Sequence, residues 1–115
     1  MMDFTLDTSP SHYQIRSYER GKIVVNEETI AQNLIVSANT LIYPWDENNL
    51  EVILNLNPTI VLLGTGENFK ILPPKFLSPF YEHKIGVEVM NTSAACRTFN
   101  VLAGEGRNVV AGLII

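Results

Sequence analysis

Residues Ile85 to Glu105 constrain the chain most. The β-branched run Ile85-Gly-Val-Glu-Val-Met90 passes through Asn91 and Thr92 into a segment whose apolar residues recur with a helical period. Asn and Thr carry side-chain oxygens that accept from the unpaired amides of a first helical turn, so they mark a helix start. A strand whose carboxyl end feeds directly into a helix follows. Within residues 92–105, Ala95, Phe99 and Leu102 share one side, flanked by Cys96 and Ala103, while Ser93, Arg97, Asn100 and Gly104 lie opposite. Phe99 is thereby assigned to the core and Arg97 to the outside. Arg97 sits near the positive end of the helix dipole, which opposes a cation by about 0.3–1 kcal/mol. Glu88 or solvent would offset that.

The rest of the chain supplies partners for this unit. At 115 residues, 46% of them hydrophobic, it is long enough to bury one core without disulfides or a structural metal. The first eleven residues, rich in turn formers around Thr8-Ser-Pro-Ser11, read as a flexible arm. Tyr13 and Ile15 alternate with Gln14 and Arg16 as in a half-buried strand, and Gly21 turns the chain into Ile23-Val-Val25. Thr29 to Ser37 and Leu41 to Tyr43 read as two more short strands. Asn48 is placed to cap a brief helix carrying Leu50, Ile53 and Leu54, with Glu51 as the capping-box acid and Asn57-Pro58 as the stop.

Ile60-Val-Leu-Leu63 is apolar on both faces, as suits a central strand covered on two sides. Pro73-Pro74 opens the next helix, with Phe76, Leu77, Phe80 and Tyr81 as its stripe; Pro79 either restarts that helix with Ser78 as cap or distorts it. Val109 to Ile115 is the last strand. Strand, helix, strand, helix, strand with short joins predicts right-handed crossovers and an α/β fold. We expect one three-layer domain over residues 1–115: a mixed central sheet, packed helices and a small N-terminal β layer.

A net charge of −4, from 8 basic and 12 acidic side chains, removes the general attraction on which non-specific binding of nucleic acid or anionic membrane relies. No apolar run is long enough to span a bilayer, and the acidic start does not resemble a secretory signal. The single cysteine, Cys96, forms no intrachain disulfide, consistent with a reducing cytoplasm.

The segments Ile85-Gly-Val-Glu-Val-Met-Asn-Thr92, Cys96-Arg-Thr-Phe-Asn-Val-Leu102 and Glu105-Gly-Arg107, with Leu63-Gly-Thr-Gly66 upstream, closely resemble the Mth-type α/β domain family. That family includes the mitochondrial complex I assembly factor and adipogenesis-associated proteins. Its pattern often has Asp where this chain has Asn91, and Tyr where it has Phe99. The resemblance implies a mixed sheet with helices and an added β layer, and a biological context rather than a reaction.

Candidate sites follow from the joins. Gly64-Thr65-Gly66 lies at the carboxyl end of a strand, where α/β crevices bind ligands. It matches neither the dinucleotide fingerprint nor a phosphate loop, so a tight turn is its plain reading. Asn91, Thr92 and Ser93 can present amides and hydroxyls to an anion or simply cap the helix. Arg97 and Glu88 would stand at the rim of a crevice between these two turns, or pair with one another. Cys96 near a helix start has the position of a nucleophile but lacks a sequence-adjacent histidine, and His12 and His83 would have to approach by folding; a buried small hydrophobe fits it better. No catalytic set, metal site or cofactor motif is present.

Two functions of different class remain. The first is a non-enzymatic protein-interaction module that aids assembly of respiratory complex I, with respiratory-complex subunits as partners and peripheral attachment to the inner membrane through them. The second is a small-molecule or anion-binding protein, or weak enzyme, using the crevice lined by Gly64, Thr65, Gly66, Asn91 and Thr92. Homodimerisation through an exposed edge of the β-rich half fits either.

Overall fold

The computed structural model describes residues 12–115. The arm expected over residues 1–11 lies outside the described residues. Strands are β1 (Ile15–Glu19), β2 (Lys22–Val25), β3 (Glu28–Ile30), β4 (Leu34–Ser37), β5 (Leu41–Ile42), β6 (Ile60–Thr65), β7 (Gly86–Met90) and β8 (Val109–Ile114); helices are α1 (Glu51–Leu54), α2 (Pro74–Glu82) and α3 (Thr92–Gly104). β1-β2-β3 form an antiparallel sheet, and a second, five-stranded sheet has the order β5-β4-β8-β6-β7.

The crossovers make the centre of the larger sheet parallel. β6 pairs with β7 and with β8, so that Leu62 stands between Glu88 and Ala111, and Gly64 between Met90 and Leu113. β4 then pairs antiparallel with β8, and β5 with β4. Val61, Leu62 and Leu63 are buried on both faces of β6, as a doubly covered central strand requires.

Side chains alternate across this sheet into two cores. On one face Leu34, Val36, Leu62, Ala111 and Leu113 meet Ala95, Cys96 and Phe99 of α3 and Ile15, Ile23, Val25 and Ile30 of the small sheet. On the other face Ile35, Val61, Leu63 and Val110 meet Trp45, Ile53 of α1 and Phe80 of α2. Three layers result: α3 beside the small sheet, the five-stranded sheet, and α1 with α2.

The β-rich half both extends the main sheet and builds a second one. Thr29 to Ser37, expected as one strand, is two strands in different sheets, because the chain breaks at Gln32-Asn33. Asn33 holds the break: its carbonyl accepts from Trp45 N at 2.9 Å and its Oδ1 from Ile115 N at 3.0 Å. The turn at Gly21, with φ of 90°, joins β1 to β2 as the glycine suggested.

The short helix corrects a second expectation. Leu50, not Asn48, is the N-cap of α1, and no side-chain cap is made. Asp46 Oδ1 instead accepts from Asn48 N at 2.9 Å, a local turn that uses up the capping geometry one step early. In α2, Pro79 lies within one continuous helix. Proline has no amide for the carbonyl four residues back; Ser78 Oγ donates to that carbonyl, Lys75 O, at 3.0 Å.

Candidate functional site

The parallel strands end together, and their joins meet at that edge. Thr92 N donates to Gly66 O at 2.8 Å, Gly66 N donates to Thr92 Oγ1 at 2.8 Å, and Thr92 Oγ1 donates to Ile114 O at 2.6 Å. The Gly64-Thr65-Gly66 bend and the α3 start are thus adjacent. They are tied directly by hydrogen bonds, and Thr92 is fully buried between them. Gly64 permits the approach: a Cβ there would stand 2.8 Å from Thr92 Oγ1 and 3.0 Å from Thr92 Cα. Gly66 has φ of 99°, a left-handed conformation that L side chains rarely adopt.

The side-chain oxygens of Thr65, Asn91 and Thr92 at the bend all have protein partners. Asn91 caps α3, its Oδ1 accepting from Ala94 N at 2.8 Å. Thr65 Oγ1 donates to Asn68 O at 2.8 Å, with Met90 O a longer alternative at 3.3 Å, and accepts from Lys70 N at 3.1 Å. This network satisfies groups that would otherwise be buried and unpaired.

Arg97 and Glu88 do not form an ion pair. Arg97 Nη1 donates to Ser93 Oγ at 2.8 Å, one helical turn back, while Glu88 is exposed on the edge strand β7. Arg97 instead lines a cavity of about 200 Å³ toward β1, together with Arg16, Tyr18, Ser93 and Cys96. Cys96 is buried, and burial pushes its thiol up to about 12, with the Arg97 guanidinium pulling weakly the other way. A thiol held there stays protonated near neutral pH, which suits packing and not nucleophilic attack. His83 is engaged locally, its Nδ1 2.7 Å from Pro79 O.

An open pocket of about 280 Å³ lies on the opposite face, under the same strand ends. Leu63, Gly64 and Thr65 of β6 and Gly112 of β8 form its floor. Trp45, Glu47 and Asn48 line it from the segment before α1, and Leu72, Pro73 and Phe76 from the segment that leads into and starts α2. Gly112 makes room for the indole: a Cβ there would lie 2.7 Å from Trp45 Cη2. Trp45 Nε1 donates to Asn49 O at 3.0 Å, so the ring presents only carbon to the pocket. Beside it, the segment from Glu67 to Pro73 carries Phe69 at 56% exposure and Ile71 at 86%.

Trp45 and Gly112 were not singled out in the sequence. The available signal was the glycine inside the strand Val109–Ile114, because an interior strand glycine often marks a close approach. Asn100, read as outward-facing, is likewise a connector. Its Nδ2 donates to Ile15 O at 2.8 Å and its Oδ1 accepts from Ile15 N at 3.0 Å, which ties α3 to the edge of the small sheet. Among the described residues no three His, Cys, Asp or Glu side chains cluster as metal ligands, and no helix is long and apolar enough to cross a membrane.

Comparison with known proteins places this architecture. A family model described as "Protein of unknown function (DUF498/DUF598)" matches residues 15–114. A Francisella tularensis protein named 13 kDa major membrane protein is 30% identical over 103 residues, covering 82% of this chain and 84% of its own length. The Bos taurus NADH dehydrogenase [ubiquinone] 1 alpha subcomplex assembly factor 3 is 32% identical over 116 residues, covering 92% of this chain but only 62% of the bovine protein. Among solved structures, a Xanthomonas campestris protein aligns with a TM-score of 0.81 at 32% identity, over 95% of this chain and 89% of that one. A Bordetella pertussis protein described as an Mth938-like domain gives 0.81 at 24% identity over 98% and 92%, a likeness of fold alone. The described fold, with its two sheets and three helices, and these matches agree: the chain belongs to the DUF498/DUF598 family of Mth-type α/β domains, which includes the complex I assembly factor.

Proposed function

We propose that this domain is a non-catalytic protein-docking module that aids assembly of respiratory complex I, with respiratory-complex subunits as its partners. One observation carries the reading. An apolar pocket walled by Trp45 and Phe76 adjoins a segment whose Phe69 and Ile71 face solvent, and the polar groups bordering it mostly satisfy one another. Exposed aromatic and aliphatic anchors beside a pocket are the usual currency of protein interfaces. An active site needs converging acids, bases or nucleophiles, and the buried thiol of Cys96 lies on the other face. The likeness to the bovine assembly factor supplies the context, over the part of that protein which this chain spans. Attachment to the inner membrane would then come through the partner.

The test is recovery of tagged protein from native lysate, comparing wild type with Phe69→Ser/Ile71→Ser. Enrichment of complex I subunits by wild type, lost in the double variant along with assembled complex I, is the expected result. Equal recovery and equal assembly by both would overturn it.

A second reading draws support from Gly64 and Thr65 forming part of the pocket floor. In it a small molecule sits beside Gly64-Thr65-Gly66, while Asn91 and Thr92, paired with protein groups, shape the bend and do not touch it. A stoichiometric small molecule in native mass spectra, displaced when Leu72→Trp narrows the pocket, would favour this reading over docking.

A further inference from the structure

Four successive residues of β1, Ile15 to Tyr18, line one cavity against α3. In a regular strand successive side chains point to opposite faces, so such a long shared wall is unusual. The register explains it: Ile15 opposes Val25 while Ser17 opposes Val24, so Arg16 is the extra residue of a bulge. Bulges re-aim side chains. Here the bulge brings Arg16 to the same cavity as Arg97, and Asn100 locks the strand in place through both hydrogen bonds to Ile15.

The chemistry of this cavity runs one way. Two guanidinium groups line it and no carboxylate does, in a chain whose net charge is −4. Arg97 uses one N–H on Ser93 Oγ, which leaves the remaining guanidinium donors and the Ser93 hydroxyl hydrogen free to donate. Tyr18 also lines this cavity; its hydroxyl is sealed from solvent and has no hydrogen-bond partner among the described residues, so it reaches a ligand only by turning its ring toward the cavity. Such a group costs free energy unless something in the cavity pairs with it. Burial, and then the Glu67 carboxylate, push the phenol upward, so it is a donor across the neutral range. Glu67 is itself engaged with Arg20 at 3.8 Å.

From this arrangement we infer that the seam between β1 and α3 binds a small tetrahedral oxyanion, a phosphate group free or on a small phosphomonoester, through Arg16, Tyr18, Ser93 and Arg97. At about 200 Å³ the cavity falls below the range of about 300–1,000 Å³ that holds drug-sized ligands, so it admits the anionic group and not a nucleotide. Arginine forks match such oxygens in pairs. The site lies on the α3 face, away from the Trp45 pocket, and stands independently of the docking reading.

The test is titration of the whole chain with inorganic phosphate and, separately, methyl phosphate, at ionic strength held constant with chloride and read by amide chemical shifts. Wild type should saturate in the millimolar range, with shifts centred on Tyr18, Ser93 and Arg97. Arg97→Gln should weaken binding roughly tenfold or more, and Arg16→Gln several-fold. Tyr18→Phe should weaken binding and yet melt no lower than wild type in phosphate-free buffer, because it removes an unpaired hydroxyl. Tighter binding of the methyl ester would assign the site to a phosphomonoester, and equal or weaker binding to free phosphate. Absence of saturation, or titration of both arginine variants like wild type, would overturn the inference.

Discussion

Gly64 and Gly112 are both strand glycines that admit a close neighbour, on opposite faces of one sheet. At Gly64 the neighbour is the first turn of α3, and the joint is closed by the reciprocal bonds between Thr92 and Gly66. At Gly112 it is the ring of Trp45, held by one bond to Asn49 O, and a pocket remains beside it. The same omission of a side chain therefore produces a sealed joint or a cavity wall. Which one results depends on whether main chain or a ring fills the space. Main chain brings donors and acceptors that must pair, so it excludes further occupants; an aromatic ring brings apolar area and leaves any uncovered part available.

Four substitutions probe this contrast. Phe99, fully buried under α3, anchors the sealed face. Phe99→Ala should lower unfolding free energy by about 3–5 kcal/mol in denaturant titration; a loss under about 1 kcal/mol would mean that α3 is not tightly joined to the sheet. Gly64→Ala should cost about 1–3 kcal/mol, since its new methyl meets Thr92 backbone as well as side chain. Gly112→Ala should cost less and should shift Trp45 fluorescence, because a ring can tilt into the pocket where a helix turn cannot move alone. Equal costs at the two glycines would break the comparison. Ile71→Ser, at a position 86% exposed, should change stability by no more than about 0.5 kcal/mol. A larger loss would show that the apolar segment holds the fold together and is not reserved for a partner.

The C-terminal half was legible because its signals are local. Ile60-Val-Leu-Leu63 reads as a doubly covered strand, Asn91 as a cap and Ala95 with Phe99 as a buried stripe, and each is found so. The N-terminal half was less legible because its strands are short and sorted between two sheets. Nothing in Thr29 to Ser37 states which sheet each part joins; Asn33 marks the break only through bonds to Trp45 and Ile115, far away in sequence. Asn48 was misread because Asp46 turns the chain at Asn48 and the helix begins only at Glu51, with Leu50 as its N-cap. Asn100 belongs to the polar side by periodicity, yet a helix flanked by two sheets presents even that side to a neighbour. The candidate site shows the same division. The adjacency of Gly64-Thr65-Gly66 and Asn91-Thr92 follows from parallel strands ending at one edge. The pocket behind them depends on Trp45, whose position no local pattern encodes.

Periodicity, capping residues and the paired crossovers determined, from the amino-acid order alone, that this chain builds a layered α/β domain with its strand ends aligned, because those features act over a few residues. Long-range contacts decided the rest. The partition of the N-terminal strands, the cavity that Arg16 at its bulge shares with Arg97, and the choice of which glycine is sealed and which borders a pocket arise from elements brought together only when two cores pack on one sheet. Packing of that kind is set by shape and by the pairing of buried polar groups across the whole fold, and neither is written in any single segment.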